Sequence, residues 1–197
     1  MSRSAEPKTI TILDEVEKCE KEVVEALLSV PDKRPVRFLI NSSGGSVYAS
    51  MAICTVLKMK QLQAEAIVLA DCSSSALMIF ATCQTRRIAP HASLLFHPMR
   101  WSSDEQSRLP GAKSWAAEFT RVASVYEDWL VSHLGLQRRL LKTWMREERY
   151  VLAHELVELG VASFLEYPAA DIIDIAAGTR RKTASRRKTS VRIRRVG

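Results

Sequence analysis

The stretch Arg37-Phe38-Leu39-Ile40-Asn41-Ser42-Ser43-Gly44-Gly45-Ser46-Val47 decides how this chain is read. A β-rich apolar run ends in two adjacent glycines, and beyond them Val47, Met51, Cys54 and Leu57 recur at helical spacing. A strand therefore passes into a helix through a tight diglycine bend, which leaves bare amide N–H groups facing outward, a ready site for an oxyanion. Two later stretches answer it: the serine run Ser73-Ser74-Ser75 and His97 in Phe96-His97-Pro98. A hydroxyl nucleophile, an imidazole base and an oxyanion site point to acyl-group hydrolysis, of peptide bonds in the first place.

Working outward, short apolar runs alternate with helical periodicity. Residues 9–13 read as a strand; Val16, Cys19, Val23, Val24, Leu27 and Leu28 as a helix face ended by Pro31-Asp32-Lys33. Residues 66–70 form the next strand, which delivers the serine run, and a helix follows over about 74–83. Strands at 87–89 and 93–96 are separated by a turn at Pro90-His91. This is the α/β pattern, and in open α/β sheets sites gather at the carboxyl ends of strands. Residues 100–111 are polar, contain Pro110 and read as a loop. Trp115, Phe119, Val122, Tyr126, Trp129 and Leu130 then mark a long helix running to Gly135, which caps it, before a second helix over 136–148. The aromatic stripe fits either an oligomer contact or an ordinary core helix.

At 197 residues and 47% hydrophobic content the chain suits one domain with a sizeable core. The first residues lack the apolar stretch of a secretory signal, and no run reaches the roughly 20 apolar residues of a membrane span, so a soluble cytoplasmic protein with no membrane partner is expected. Cys19, Cys54, Cys72 and Cys83 form neither a CxxC pair nor a metal-ligand pattern and read as buried reduced thiols. No metal and no cofactor is called for. The net charge of +7 is concentrated: residues 179–197 hold nine cations and no acid, leaving 20 basic against 22 acidic residues elsewhere. That basic tail is expected to be disordered, as a solubility tail or as a weak contact for nucleic acid, anionic lipid or an acidic partner.

These motifs carry a family resemblance. Residues 38–47 resemble the INSPGGSV signature of the Clp protease proteolytic subunit (ClpP), with Ser43 in place of the usual proline. Residues 70–76 are similar to that family's GxAASMG nucleophile turn, and 90–98 to its PNARVMIHQP stretch. Residues 135–160 lie without a gap on the family's last helix and its APEAVEYGLVD segment. The resemblance spans about residues 9–165 in the correct order. It implies a ClpP/crotonase-like α/β fold of repeated β-β-α units with a protruding handle helix over about 99–134, an N-terminal segment at 1–8, a domain over 9–178 and the tail at 179–197. It implies Ser74 as nucleophile, His97 as base and Glu148, where the family has aspartate, as acid, with the Gly45 and Ser75 amides as the oxyanion hole. The activity implied is that of a serine endopeptidase in a homo-oligomeric ring, acting on unfolded protein or peptide and served by an AAA+ unfoldase. No GxxxxGKS occurs here, so ATP chemistry would lie in that partner.

Other readings stay open. Three serines also suit a close helix approach, His97 a structural histidine, and Arg146-Glu147-Glu148-Arg149 a solvated helix face, with Glu147 a competitor for the acid. The segment 100–110 carries charge where the family has a glycine-rich strand that pairs with substrate. A catalytically inactive ClpP-like subunit or scaffold is the second hypothesis, and a crotonase-like acyl-CoA enzyme using the Gly45 amide is the third.

Overall fold

Seven strands make the frame that holds the candidate site. The computed structural model describes residues 6–101, 108–166 and the backbone of 173–174 and 179–180. Parallel strands β1 (Lys8–Ile12), β2 (Pro35–Ser42), β3 (Gln63–Cys72) and β4 (Thr85–Ile88) lie side by side in chain order, and the short β7 (Ser163–Phe164) pairs with β4. β5 (Ser93–Phe96) meets the tip of β3 at Asp71↔Ser93 and pairs antiparallel with β6 (Arg149–Leu152). The fold is therefore α/β, as the alternation of the sequence predicts.

β3 serves both groups of strands because its register breaks. Ile40 faces Val68 but Ser42 faces Cys72, so β3 spends four residues where β2 spends two. The slack lets the end of β3 turn toward β5, and the Asp71 amide donates instead to the Asn41 side-chain carbonyl at 3.1 Å.

The helices cover one face of the sheet. Along β2, Val36, Phe38 and Ile40 are buried while Arg37 and Leu39 on the other face are half-exposed, the period of two expected of a strand covered on one side. Against the buried face pack α1 (Val16–Leu28) through Val16, Val23 and Leu27 and α2 (Val47–Met59) through Ile53, Cys54 and Leu57. α3 (Ala76–Thr82) is buried at all seven residues. Arg86 ties the far ends of this layer together, its guanidinium donating to the carbonyls of Val161, Ala81, Cys83 and His133.

Two expectations about the second half are revised. α4 (Leu109–Leu134) starts within the segment read as a loop, because Pro110 falls in its first turn, where a helix has no N–H bond to lose. Gly135 caps α4 at φ 68° as predicted. The helix read over 136–148 ends early: α5 (Arg138–Arg146) stops, Glu148 takes φ 47°, and the chain enters β6 and then α6 (Ala153–Glu158). The aromatic stripe of α4 divides, with Val122, Tyr126 and Leu130 buried and Trp115 56% exposed beside Trp101.

The chain divides after Leu165 into two units, and the second holds a small antiparallel pair, β8 (Ile173–Asp174) with β9 (Thr179–Arg180). Residues 181–197 of the expected basic tail, and 102–107 of the expected loop, lie outside the described residues. Among the described residues no helix is long and apolar enough to cross a membrane.

Candidate active site

Ser74 stands at the sharp turn between β3 and α3 with φ 53°, a left-handed conformation that a non-glycine residue rarely adopts. Both of its backbone groups are tied: the amide donates to Leu95 O at 3.0 Å, and the buried Tyr126 hydroxyl donates to Ser74 O at 2.8 Å. A turn over-determined in this way holds a strained residue in place. The neighbouring Ser73 is spent elsewhere, its buried hydroxyl donating to Asp71 Oδ1 at 2.5 Å. The Ser75 hydroxyl is fully buried. Of the three serines, Ser74 alone is partly exposed.

The diglycine bend lies directly against this turn. A β-carbon on Gly44 would stand 2.5 Å from Ser74 Cβ and 2.7 Å from Ser73 O, so the close approach excludes any side chain there. Residues around the start of α1 clamp the bend from its other side. Val16 N donates to Gly44 O at 2.7 Å, Ser42 Oγ to Asp14 O at 2.6 Å, and Ser46 N to Glu17 Oε2 at 2.7 Å. The Glu17 carboxylate lies so close to Gly45 that a β-carbon at that position would collide with it. Among the described residues the Gly45 and Ser75 amides donate no hydrogen bond. Two unpaired N–H groups, one on the diglycine bend and one on the Ser74 turn, are what an oxyanion requires.

His97 follows the last residue of β5 and is half-buried. Its Nδ1 lies 2.7 Å from Pro98 O. A carbonyl only accepts, so Nδ1 donates; in the neutral ring this leaves the Nε2 lone pair free, the tautomer a general base needs. The antiparallel β5–β6 pairing ends at Phe96↔Arg149, and His97 and Glu148 each flank that last pair. The Glu148 carboxylate, however, meets Arg100, with Oε2 2.5 Å from the guanidinium. Among the described residues no hydrogen bond joins Ser74 to His97 or His97 to Glu148. Ser74 follows the end of β3, His97 the end of β5, and Glu148 precedes β6; the His97 and Glu148 side chains are engaged with Pro98 and Arg100.

Glu17, Tyr126 and Arg100 are residues of this site that sequence reasoning did not find. Tyr126 falls on the apolar stripe of α4 and reads there as packing. Glu17 and Arg100 act across 29 and 48 residues of chain, where no local pattern announces a contact. The two concavities of about 460 and 330 Å³ lie elsewhere, the first between β1 and α1 and the second beside Lys58 and His133; neither is lined by Ser74, His97 or Glu148.

A sequence model of the Clp protease family matches residues 1–165, the whole of the unit that carries this geometry. The chain belongs to the Clp protease family. It is similar to the ATP-dependent Clp protease proteolytic subunit 1 of Corynebacterium glutamicum, 26% identical over 133 residues, covering 66% of this chain and 63% of that protein. It also resembles the proteolytic subunit 3 of Nocardia farcinica, 25% identical over 137 residues, covering 68% of this chain and 62% of that protein. Proteolytic subunit 1 of Chlamydia muridarum matches at 25% identity over 141 residues, 71% of this chain and 73% of that protein. The chain thus spans less than two thirds of the length of the first two relatives. In this member of the Clp protease family Arg100 stands beside Glu148, the position where the resemblance puts the acid.

Proposed function

We propose that the protein is a serine peptidase that cleaves peptide bonds through Ser74, His97 and Glu148. Ser74 Oγ attacks the substrate carbonyl carbon as His97 Nε2 takes its proton, and the Gly45 and Ser75 amides hold the carbonyl oxygen as it becomes an anion. When the C–N bond breaks, the imidazolium returns the proton to the departing amine and leaves an acyl-Ser74 ester. A water, deprotonated by the same imidazole, then hydrolyses that ester. Glu148 is the group that steadies the imidazolium once its carboxylate turns to Nδ1.

The observation that carries this reading is the left-handed Ser74 turn pressed against a diglycine bend with two unpaired amides. Family membership supports it. The relatives are named proteolytic subunits of an ATP-dependent protease, which supports action on protein, assembly with further subunits and a need for ATP; a homo-oligomeric ring, a separate AAA+ unfoldase, unfolded protein or peptide as substrate and a cytoplasmic setting belong to the same proposal. A fluorophosphonate probe tests the chemistry directly. It is expected to label the wild-type protein and not Ser74→Ala; equal labelling of both, or of neither, overturns the reading.

One observation favours a second reading, a non-catalytic ClpP-like subunit: the Glu148 carboxylate is held by Arg100 and not by His97. Absence of labelling in a protein that still assembles would select it.

A further inference from the structure

We propose that Arg100 is a positioning residue that governs whether Glu148 supports His97. The inference rests on the serine-peptidase reading above. Arg100 lies three residues beyond His97, and His97 and Glu148 each flank the last β5–β6 pair, Phe96↔Arg149, which makes the imidazole the neighbouring group to compete with the guanidinium for the carboxylate. The nearby arginines have their own acids: Arg149 pairs with Glu155, and Arg146 with Glu147. Arg100 is the cation that meets Glu148 among the described residues.

The competition has a chemical cost. His97 is oriented by the neutral Pro98 carbonyl, which accepts a hydrogen bond but brings no negative charge. As His97 takes the serine proton its ring becomes a cation, and a carboxylate at Nδ1 stabilises that cation where a carbonyl does so far less. With Glu148 on Arg100 the base has the right tautomer and weak support. Exchange of Glu148 from Arg100 to His97 converts the resting arrangement to the working one. The Arg100 and Glu148 side chains are 70% and 50% exposed, so the pair biases this exchange and does not lock it.

The test uses the full chain and the second-order rate of fluorophosphonate labelling at Ser74. Arg100→Gln is expected to raise that rate roughly two- to five-fold, the span an exposed ion pair is worth. Arg100→Lys keeps a cation within reach of Glu148 and should stay near the wild-type rate. In Arg100→Gln with Glu148→Gln the gain should vanish, a dependence that a purely structural role for Arg100 would not produce. An Arg100→Gln rate at or below wild type, with labelling still abolished by Ser74→Ala, overturns this inference and leaves the peptidase reading standing. A gain that persists without Glu148 overturns it too. If wild type and Arg100→Gln both behave like Ser74→Ala, the peptidase reading has failed and takes this inference with it.

Discussion

Gly44 approaches Ser74 so closely that a methyl group on its α-carbon would lie 2.5 Å from the serine β-carbon. Gly44 also has φ 103°, so an alanine there meets backbone strain and a collision together. Gly44→Ala should destabilise the fold by about 2–4 kcal/mol, the sum of the left-handed penalty and one over-packed contact. Urea unfolding measures this. A variant within about 0.5 kcal/mol of wild type, the ordinary range of harmless surface changes, would mean that the bend does not press on the serine turn.

Tyr126 reaches from α4 to the backbone of the Ser74 turn, its buried hydroxyl donating to Ser74 O at 2.8 Å. Tyr126→Phe keeps the ring and removes only that bond. We expect a loss of about 1–2 kcal/mol in stability, as for one buried hydrogen bond, with slower probe labelling at Ser74. Unchanged unfolding and unchanged labelling would show that the hydroxyl contributes nothing to the turn.

His133 gives the fold a pH dependence whose direction is opposite to that of a salt-bridged histidine. Burial, followed by the nearby cations Lys58 and Arg86, holds its imidazole below the ordinary value of 6.5, although the Trp129 carbonyl works the other way. Lys58 Nζ donates to Nε2 at 2.8 Å, a bond that exists only while that nitrogen is unprotonated. As pH falls, the unfolded chain therefore takes up the proton first. This stability is fully present above the ordinary value and is lost as pH descends toward the lower value of the folded state. Melting temperatures at pH 7.5 and 5.5 should differ in that direction, and by less in His133→Gln.

The four cysteines should separate into two classes toward a thiol reagent. Burial pushes the Cys54 thiol up to about 12 and raises the Cys72 and Cys83 thiols well above the ordinary value, whereas Cys19 is raised but only half-buried. Ellman's reagent at neutral pH should therefore modify Cys19 first and reach the other three on unfolding. Rapid modification of more than one thiol in the native protein would contradict the packing around α3.

The diglycine bend was legible because its requirement is local: two adjacent glycines between an apolar run and a helical pattern leave few alternatives. The serine run at the end of β3 was legible for the same reason. Glu148 was harder. Its charge run continues the periodicity of α5, and nothing in the run marks the left-handed turn that ends the helix, since the residue there is a glutamate and not a glycine. β6 is four residues long with Tyr150 exposed, and its pairing with β5 joins segments far apart in the chain, so neither length nor alternation announces it. The partners of side chains were least legible of all. That Glu148 meets Arg100, and that Glu17 holds the Ser46 amide, follow from where rigid elements converge and not from any spacing along the chain.

The enclosure of α3 has a consequence for how the two halves of the chemistry share motion. Ala76 through Thr82 are all buried, so the Ser74 turn just ahead of them rests on a helix enclosed by the core. The imidazole stands at the exit of the four-residue β5, which pairs with β3 at Asp71↔Ser93 and whose Leu95 carbonyl accepts from the Ser74 amide at 3.0 Å. Alignment of Ser74 with His97 is thereby left to the two side chains, rotating on backbones already joined.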